Sequence, residues 1–359
     1  MFGVDLRLIL ALGISYVDRA LLGGVLILNS LAYLRKRLPG KLRAFLLFYS
    51  SLVVSTFVAG GSDAYSVLYD IVRYTLPLMA YFFGRSLITI SSLDRSIIKL
   101  AQVLSSLHFI WIILILGGDI SRIFNDEAEF VLKGFIELLA IHLILKDKGN
   151  FKLVVLLSLS VVLYASRTTL LLLILQFFLY GRSYFFAHRL RIIISFVVFA
   201  AILAPTIVTG TSKFSKKLEK GLSELSWQDD SDVSATSSWR GYEAYQAINS
   251  VCCSKTAYLL GKGLGSKIDL GLTMSLGNGE FRYVSKIHNV YAEIYAKGGI
   301  IGLALLIRAL FFYYGYYSVS SFTKFSSAIL IFSGLVVGGL FNTGELFFMQ
   351  LILPKMREL

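Results

Sequence analysis

The chain has 359 residues, 56% of them hydrophobic and 16% charged, with a formal net charge of +13. A soluble domain carries about 25% charged residues, so this composition excludes a water-soluble globular enzyme and indicates a polytopic, all-α integral membrane protein. The positive charge does not point to nucleic acid: residues 210–287 hold 10 Lys/Arg against 8 Asp/Glu, and the remaining +11 lies in short loops between apolar runs.

Taken in chain order, apolar runs predict helices over 6–16, 20–34, 44–59, 65–84, 98–117, 130–145, 152–166, 168–182, 190–208, 289–317 and 325–342. A short final segment follows at 345–354, giving about 11–12 membrane segments. No cleavable leader is expected, because Asp18-Arg19 follow the first apolar run where a small-residue cleavage site would stand. Basic clusters at Arg35–Arg43, Arg85–Lys99, Lys146–Lys152 and Arg182–Arg191 alternate with the acidic connection Gly117–Glu129 and with the long polar stretch 209–287. The positive-inside bias assigns the four basic clusters to the cytoplasm and the other two to the outside. The expected division is an N-terminal bundle (1–208), an extracytoplasmic loop domain (209–287) and C-terminal helices (288–359).

Two helical positions carry charge into this apolar setting. Lys152 and Arg182 are both expected in the cytoplasm, so the chain between them must go out and return in about 30 residues, each arm spanning only ~22 Å. Arg167, at the tip in Ser166-Arg167-Thr168-Thr169, is therefore expected below the outer membrane surface, where a charge requires a watery cavity or an anion. Asp70 and Arg73, at i and i+3 in the segment 65–84, are expected to neutralise each other as a structural ion pair.

Within the long stretch, Ser212–Leu225 reads as an amphipathic surface helix, and an acidic segment follows at Gln228–Ser238. A helix capped by Ser237 or Ser238 then carries Arg240 and Glu243 to about Ser250. Gly261-Lys262-Gly263-Leu264-Gly265 is a tight turn without phosphate-loop spacing. The adjacent Cys252-Cys253 read as packing residues, and no Cys/His cluster offers a metal site. The stretch ends at His288-Asn289-Val290-Tyr291, which opens an apolar helix containing Gly298-Gly299. Of the four histidines, His108 and His142 read as packed residues inside helices and His188 lies in a basic loop. His288, at a helix mouth, is the candidate catalyst.

Three elements in this order resemble the O-antigen polymerase and O-antigen ligase superfamily: Ser166-Arg167-Thr168, Arg240 followed by an aromatic helix and the Gly261–Gly265 turn, and His288-Asn289 leading into a glycine-containing helix. The resemblance covers roughly residues 150–342. It implies a membrane-embedded glycosyltransferase of the GT-C type in the bacterial inner membrane, with its site facing the periplasm and no metal or other cofactor. The implied donor is an undecaprenyl-pyrophosphate-linked oligosaccharide, and the implied acceptor is a hydroxyl on another lipid-linked repeat unit (polymerase) or on lipid A core (ligase). Membrane lipid and a chain-length regulator complete the expected partners.

That chemistry assigns roles to side chains. A pyrophosphate leaving group calls for fixed guanidinium forks, here Arg167 and Arg240, with Arg282 and Lys286 as auxiliaries. The acceptor hydroxyl calls for a base near neutral pH, here His288, with Glu243 and Glu293 as candidates to orient it. Asn289 and Tyr291 are expected to contact substrate. Of the alternatives, the ligase shares the donor chemistry. A lipid-linked sugar flippase is disfavoured by the absence of an internal repeat and by only four prolines.

Overall fold

A computed structural model describes residues 6–16, 39–60, 62–87, 93–117, 132–147, 150–164, 166, 168–177, 239–252, 254–276, 279–335 and 338–358. The expected helices 20–34 and 190–208, the amphipathic segment 212–225, the acidic segment 228–238, Arg167 and His188 lie outside them.

In chain order the elements are α1 (Leu6–Ser15), α2 (Ala44–Ala59, entered from a 3-10 turn at Gly40–Arg43), α3 (Ala64–Leu87), α4 (Leu93–Leu116), α5 (Phe135–Lys146), α6 (Phe151–Leu163) and α7 (Thr168–Phe177). After the undescribed stretch come α8 (Trp239–Cys252), α9 (Lys255–Leu260), β1 (Ile268–Leu276), β2 (Gly279–Val284), α10 (Val290–Tyr317), α11 (Ser321–Phe332) and α12 (Glu345–Glu358). Gly40–Ala59, α4 and α10 are each long and apolar enough to cross a membrane. Lipid-facing surface is evident on them: Phe57, Ile113, Leu114 and Phe311 are large apolar side chains left exposed.

Most expected helices are present with shifted ends. Helix α4 begins about a turn early, at Leu93, with Asp94 in its first turn, where a carboxylate suits the positive end of the helix dipole. Helix α11 starts at Ser321 because Ser320 and Thr323 form a capping box. It ends well short of residue 342, in 3-10 turns at Ser333–Leu335 and Gly339–Phe341. The mostly helical architecture also contains an antiparallel hairpin, β1–β2, which was not expected from sequence. Its register shifts between Asp269 and Met274, and that irregularity hides the period-2 alternation that would have revealed the strands.

The chain forms two compact units. One comprises Met1–Leu12 and Ile90–Gly221. In it α5 is buried from Phe135 to Leu145 and packs on α4 and α6. The His108 ring stacks on Tyr164 with centroids 4.0 Å apart, while its Nδ1 lies 3.2 Å from Ser160 Oγ; Tyr164 Oη in turn donates to Glu137 at 2.7 Å. His108 and His142 are therefore packed interior residues, as expected from their apolar helices.

The other unit comprises Gly13–Thr89 and Leu222–Leu359. Here α2, α8 and α9 pack on α10, and α3 packs on α12. Phe45, Phe48, Tyr74, Tyr313 and Phe341 form an aromatic core among α2, α3 and α10. Helix α10 is broken at Gly299, whose φ of 63° no helical residue adopts. A Cβ there would collide with the backbone of Leu259 and Leu260, and a Cβ on Gly261 would collide with Lys297 and Gly298. The turn after α9 and the break in α10 thus fit each other only as glycines.

Candidate active site

Helix α8 positions the first functional side chains. Its Tyr242, Ala244 and Ala247 share a core with Ile268 and Leu270 of β1, Ile287, and Ala292 and Ala296 of α10. Tyr242 Oη donates to Leu270 O at 2.5 Å, fixing the helix to the hairpin. This packing brings Glu243, which is buried, against His288. One oxygen, Glu243 Oε2, accepts both the backbone N–H of His288 at 3.1 Å and its ring Nδ1 at 2.7 Å. A carboxylate at Nδ1 holds the proton there and leaves Nε2, on the far side of the ring, as the acceptor. The imidazole remains 45% exposed. Arg240, half-buried, stands one turn before Glu243 on the same helix.

The segment bearing His288 is tied down from below. Asn289 is the N-cap of α10, its Oδ1 accepting from Tyr291 N at 3.0 Å and Ala292 N at 3.2 Å. Ile287 N donates to Glu293 Oε2 at 3.4 Å, and Lys297 Nζ donates to Ser285 O at 2.7 Å. Glu293 and Lys297 are fully buried on α10 and belong to a four-charge network with α3. Arg73 pairs with Glu293, which also accepts from Tyr74 Oη at 2.5 Å; Lys297 pairs with Asp70 at 2.6 Å and lies 3.4 Å from Glu293. The spacing of Asp70 and Arg73 led to the expectation that they pair with each other, and the structure corrects it. Each finds its counter-charge on the other helix instead.

The same oxygen of Asp70 accepts from Gly265 N at 2.7 Å. Leu264 N donates to Thr56 Oγ1 at 2.8 Å, and Gly263 N and Lys262 N donate to Lys297 O and Ala296 O, both at 2.9 Å. The Gly261–Gly265 turn thus spends these N–H groups on the protein, which is why it is no phosphate cradle.

Several expected site residues have other duties. Glu293 is committed to Arg73, Tyr74 and Lys297 and is closed to substrate. Arg282, exposed on β2, places its fork on Asp269 at 2.9 and 3.1 Å, and those hydrogen bonds hold the Asp269 carboxyl below the usual carboxylate range. Asn289 is a cap, and Tyr291 Oη donates to Ile331 O at 2.7 Å. Lys286 is half-buried two residues before His288. The structure brings together Glu243 and His288, with Arg240 a turn away; Arg167 lies outside the described residues. The network partners Asp70, Arg73 and Lys297 were not among the expected site residues. Their signal was present: charges at i, i+3 on one apolar helix and i, i+4 on another are two half-networks. Among the described residues no group of three His, Cys, Asp or Glu side chains could hold a metal ion.

Residues 153–307 match the family model described as O-antigen ligase. Over that segment the chain is similar to the O-antigen ligase family. The matched segment runs from α6 through α8, the hairpin and His288 into the second half of α10. Enzymes of the O-antigen ligase family are membrane glycosyltransferases, polymerases or ligases, that act in polysaccharide assembly, and they are multi-pass membrane proteins. Their substrates are lipid-linked glycans. No curated protein and no solved structure matches the chain.

Proposed function

We propose that this protein is a surface-polysaccharide polymerase of the bacterial inner membrane, with its site open to the periplasm. It transfers a glycan from undecaprenyl pyrophosphate to a hydroxyl of a second lipid-linked repeat unit. The observation that carries the reading is the Glu243–His288 clasp, which leaves one imidazole nitrogen as a base at a half-open position beside the helix bearing Arg240. In the reaction, the acceptor oxygen forms a bond to the anomeric carbon while the bond from that carbon to the pyrophosphate oxygen breaks. The electron pair leaves on the pyrophosphate, whose charge Arg240 receives. The hydroxyl proton passes to His288 Nε2, and Glu243 stabilises the imidazolium formed. No metal takes part in this scheme.

The ligase reading keeps every one of these roles and changes only the acceptor, to lipid A core. It is favoured by the description of the matched family. Complementation of a polymerase-deletion strain tests the proposal. His288→Ala and Arg240→Ala are expected to abolish the polysaccharide ladder at unchanged protein level in the membrane. Normal ladders from both variants would defeat the mechanism. Restored attachment to core without chain extension would move the assignment to the ligase.

A further inference from the structure

We propose that a groove between the start of α2 and the second half of α10 binds the phosphate headgroup of an anionic glycerophospholipid. The groove has a volume of about 400 Å3 and is lined by Gly40, Arg43, Leu46, Leu47, Arg308 and Phe312. Arg308 is the anomaly that defines it. It is exposed on a membrane-spanning helix, flanked by Ile307 and Phe311, which are 55% and 74% exposed. Among the described residues it forms no ion pair, and its guanidinium lies 5.7 Å from the Phe312 ring. A guanidinium on a lipid-facing surface requires an anion or water, and the apolar neighbours supply neither.

The rest of the groove is built to present one. Lys41 Nζ donates to Gly315 O at 3.0 Å, which docks the turn Gly40–Arg43 against the end of α10. Arg43 is exposed on that turn and lines the same groove as Arg308, so two arginines border one opening. Leu46 and Leu47 follow one turn along α2 and are about half exposed, giving an apolar wall continuous with Phe311 and Phe312. Cationic side chains beside hydrocarbon walls match the two parts of an anionic lipid: phosphate at the arginines, acyl chain along the leucines. Free phosphate would leave the walls unused. A zwitterionic headgroup would bring its own cation to the arginines.

The groove is separate from the chemistry. His288 precedes the first half of α10, and Arg308 lies in its second half, beyond the break at Gly299. The groove includes Arg43, the end of the basic cluster Arg35–Arg43 that the positive-inside bias assigns to the cytoplasmic face, opposite the face expected for His288. Arg308 also lies just beyond the matched segment 153–307. The proposal depends on the membrane setting of α2 and α10 and not on the reaction at His288.

The test uses the full-length protein, delipidated and reconstituted with phosphatidylglycerol or phosphatidylcholine, with retained lipid read by native mass spectrometry. Wild type is expected to retain phosphatidylglycerol selectively. Arg308→Lys is expected to keep that selectivity, and Arg43→Gln/Arg308→Gln to lose affinity roughly tenfold per arginine removed. Equal retention of the two lipids by wild type overturns the proposal without reference to any variant. So does unchanged retention by a folded double variant. Displacement by millimolar inorganic phosphate would show an anion site only, and displacement by a polyprenyl phosphate at equal concentration would show a site for any lipid phosphate; either defeats the assignment to a glycerophospholipid.

Discussion

Replacing Glu243 by Gln separates the two things its carboxylate does for His288. The amide oxygen of Gln can still accept from the backbone N–H and from Nδ1, so the ring keeps its direction. What is lost is the negative charge that, in the proposed mechanism, faces the imidazolium formed as the acceptor is deprotonated. A hydrogen bond to a charged group contributes ~1.5–3 kcal/mol against ~0.5–1.5 for a neutral one. With the imidazole nearly half exposed, water screens part of that difference of ~1.2 kcal/mol, which leaves about 0.7 kcal/mol, or roughly threefold in kcat. Glu243→Ala also frees the backbone N–H and the ring and is expected to cost ~100-fold or more. Both losses are expected in kcat, because the proposed mechanism gives the donor's pyrophosphate to Arg240 and not to Glu243. The assay is single-turnover transfer by purified protein from a lipid-linked donor, without added metal. A Glu243→Gln variant at the wild-type rate, alongside an inactive His288→Ala, would refute the charge argument. A change confined to KM would do the same.

Two further outcomes follow from the interior. Glu293→Gln removes one carboxylate from a network in which Arg73 and Lys297 are both fully buried, and breaking such a pair costs about 3–5 kcal/mol; a large fall in the thermal midpoint of the solubilised protein is expected, and an unchanged midpoint would show that water reaches these charges. Gly299→Ala places a methyl against the backbone of Leu259 at a φ of 63° and should prevent docking of α9, whereas Gly315→Ala meets nothing within 4 Å and should be neutral or stabilising by about 0.5 kcal/mol. Fluorescence-detected size exclusion distinguishes them, and equal profiles would contradict the fit of the two glycines.

What could be read from the sequence depended on the range of the physics involved. Apolar length and loop charge are local, so α2, α3, α4 and α10 were placed closely, and His288 stood out by its position at a helix mouth. The hairpin escaped because its register slips after Asp269, leaving no regular alternation to read. The pairing of Asp70 with Lys297 and of Arg73 with Glu293 joins residues 227 and 220 positions apart, and spacing along one helix offered a nearer but wrong partner. Glu243 was a candidate to orient His288, and its carboxylate lies against the ring Nδ1; Glu293, nearer in sequence, joins the network instead. Arg282 looked available for an anion because its partner, Asp269, faces it only once the strands pair.

The network between α3 and α10 also bears on how the protein is made. When α3 enters the bilayer, Asp70 and Arg73 have only each other, since Glu293 and Lys297 are more than two hundred codons downstream. Synthesis at ~5–20 residues per second leaves a delay of about 10–45 s before they emerge. Each unpaired charge costs ~2.5–3.5 kcal/mol at the centre of a helix in lipid. Helix α3 must therefore wait at the insertion machinery, or shelter beside earlier helices, until the last quarter of the polypeptide arrives to complete it.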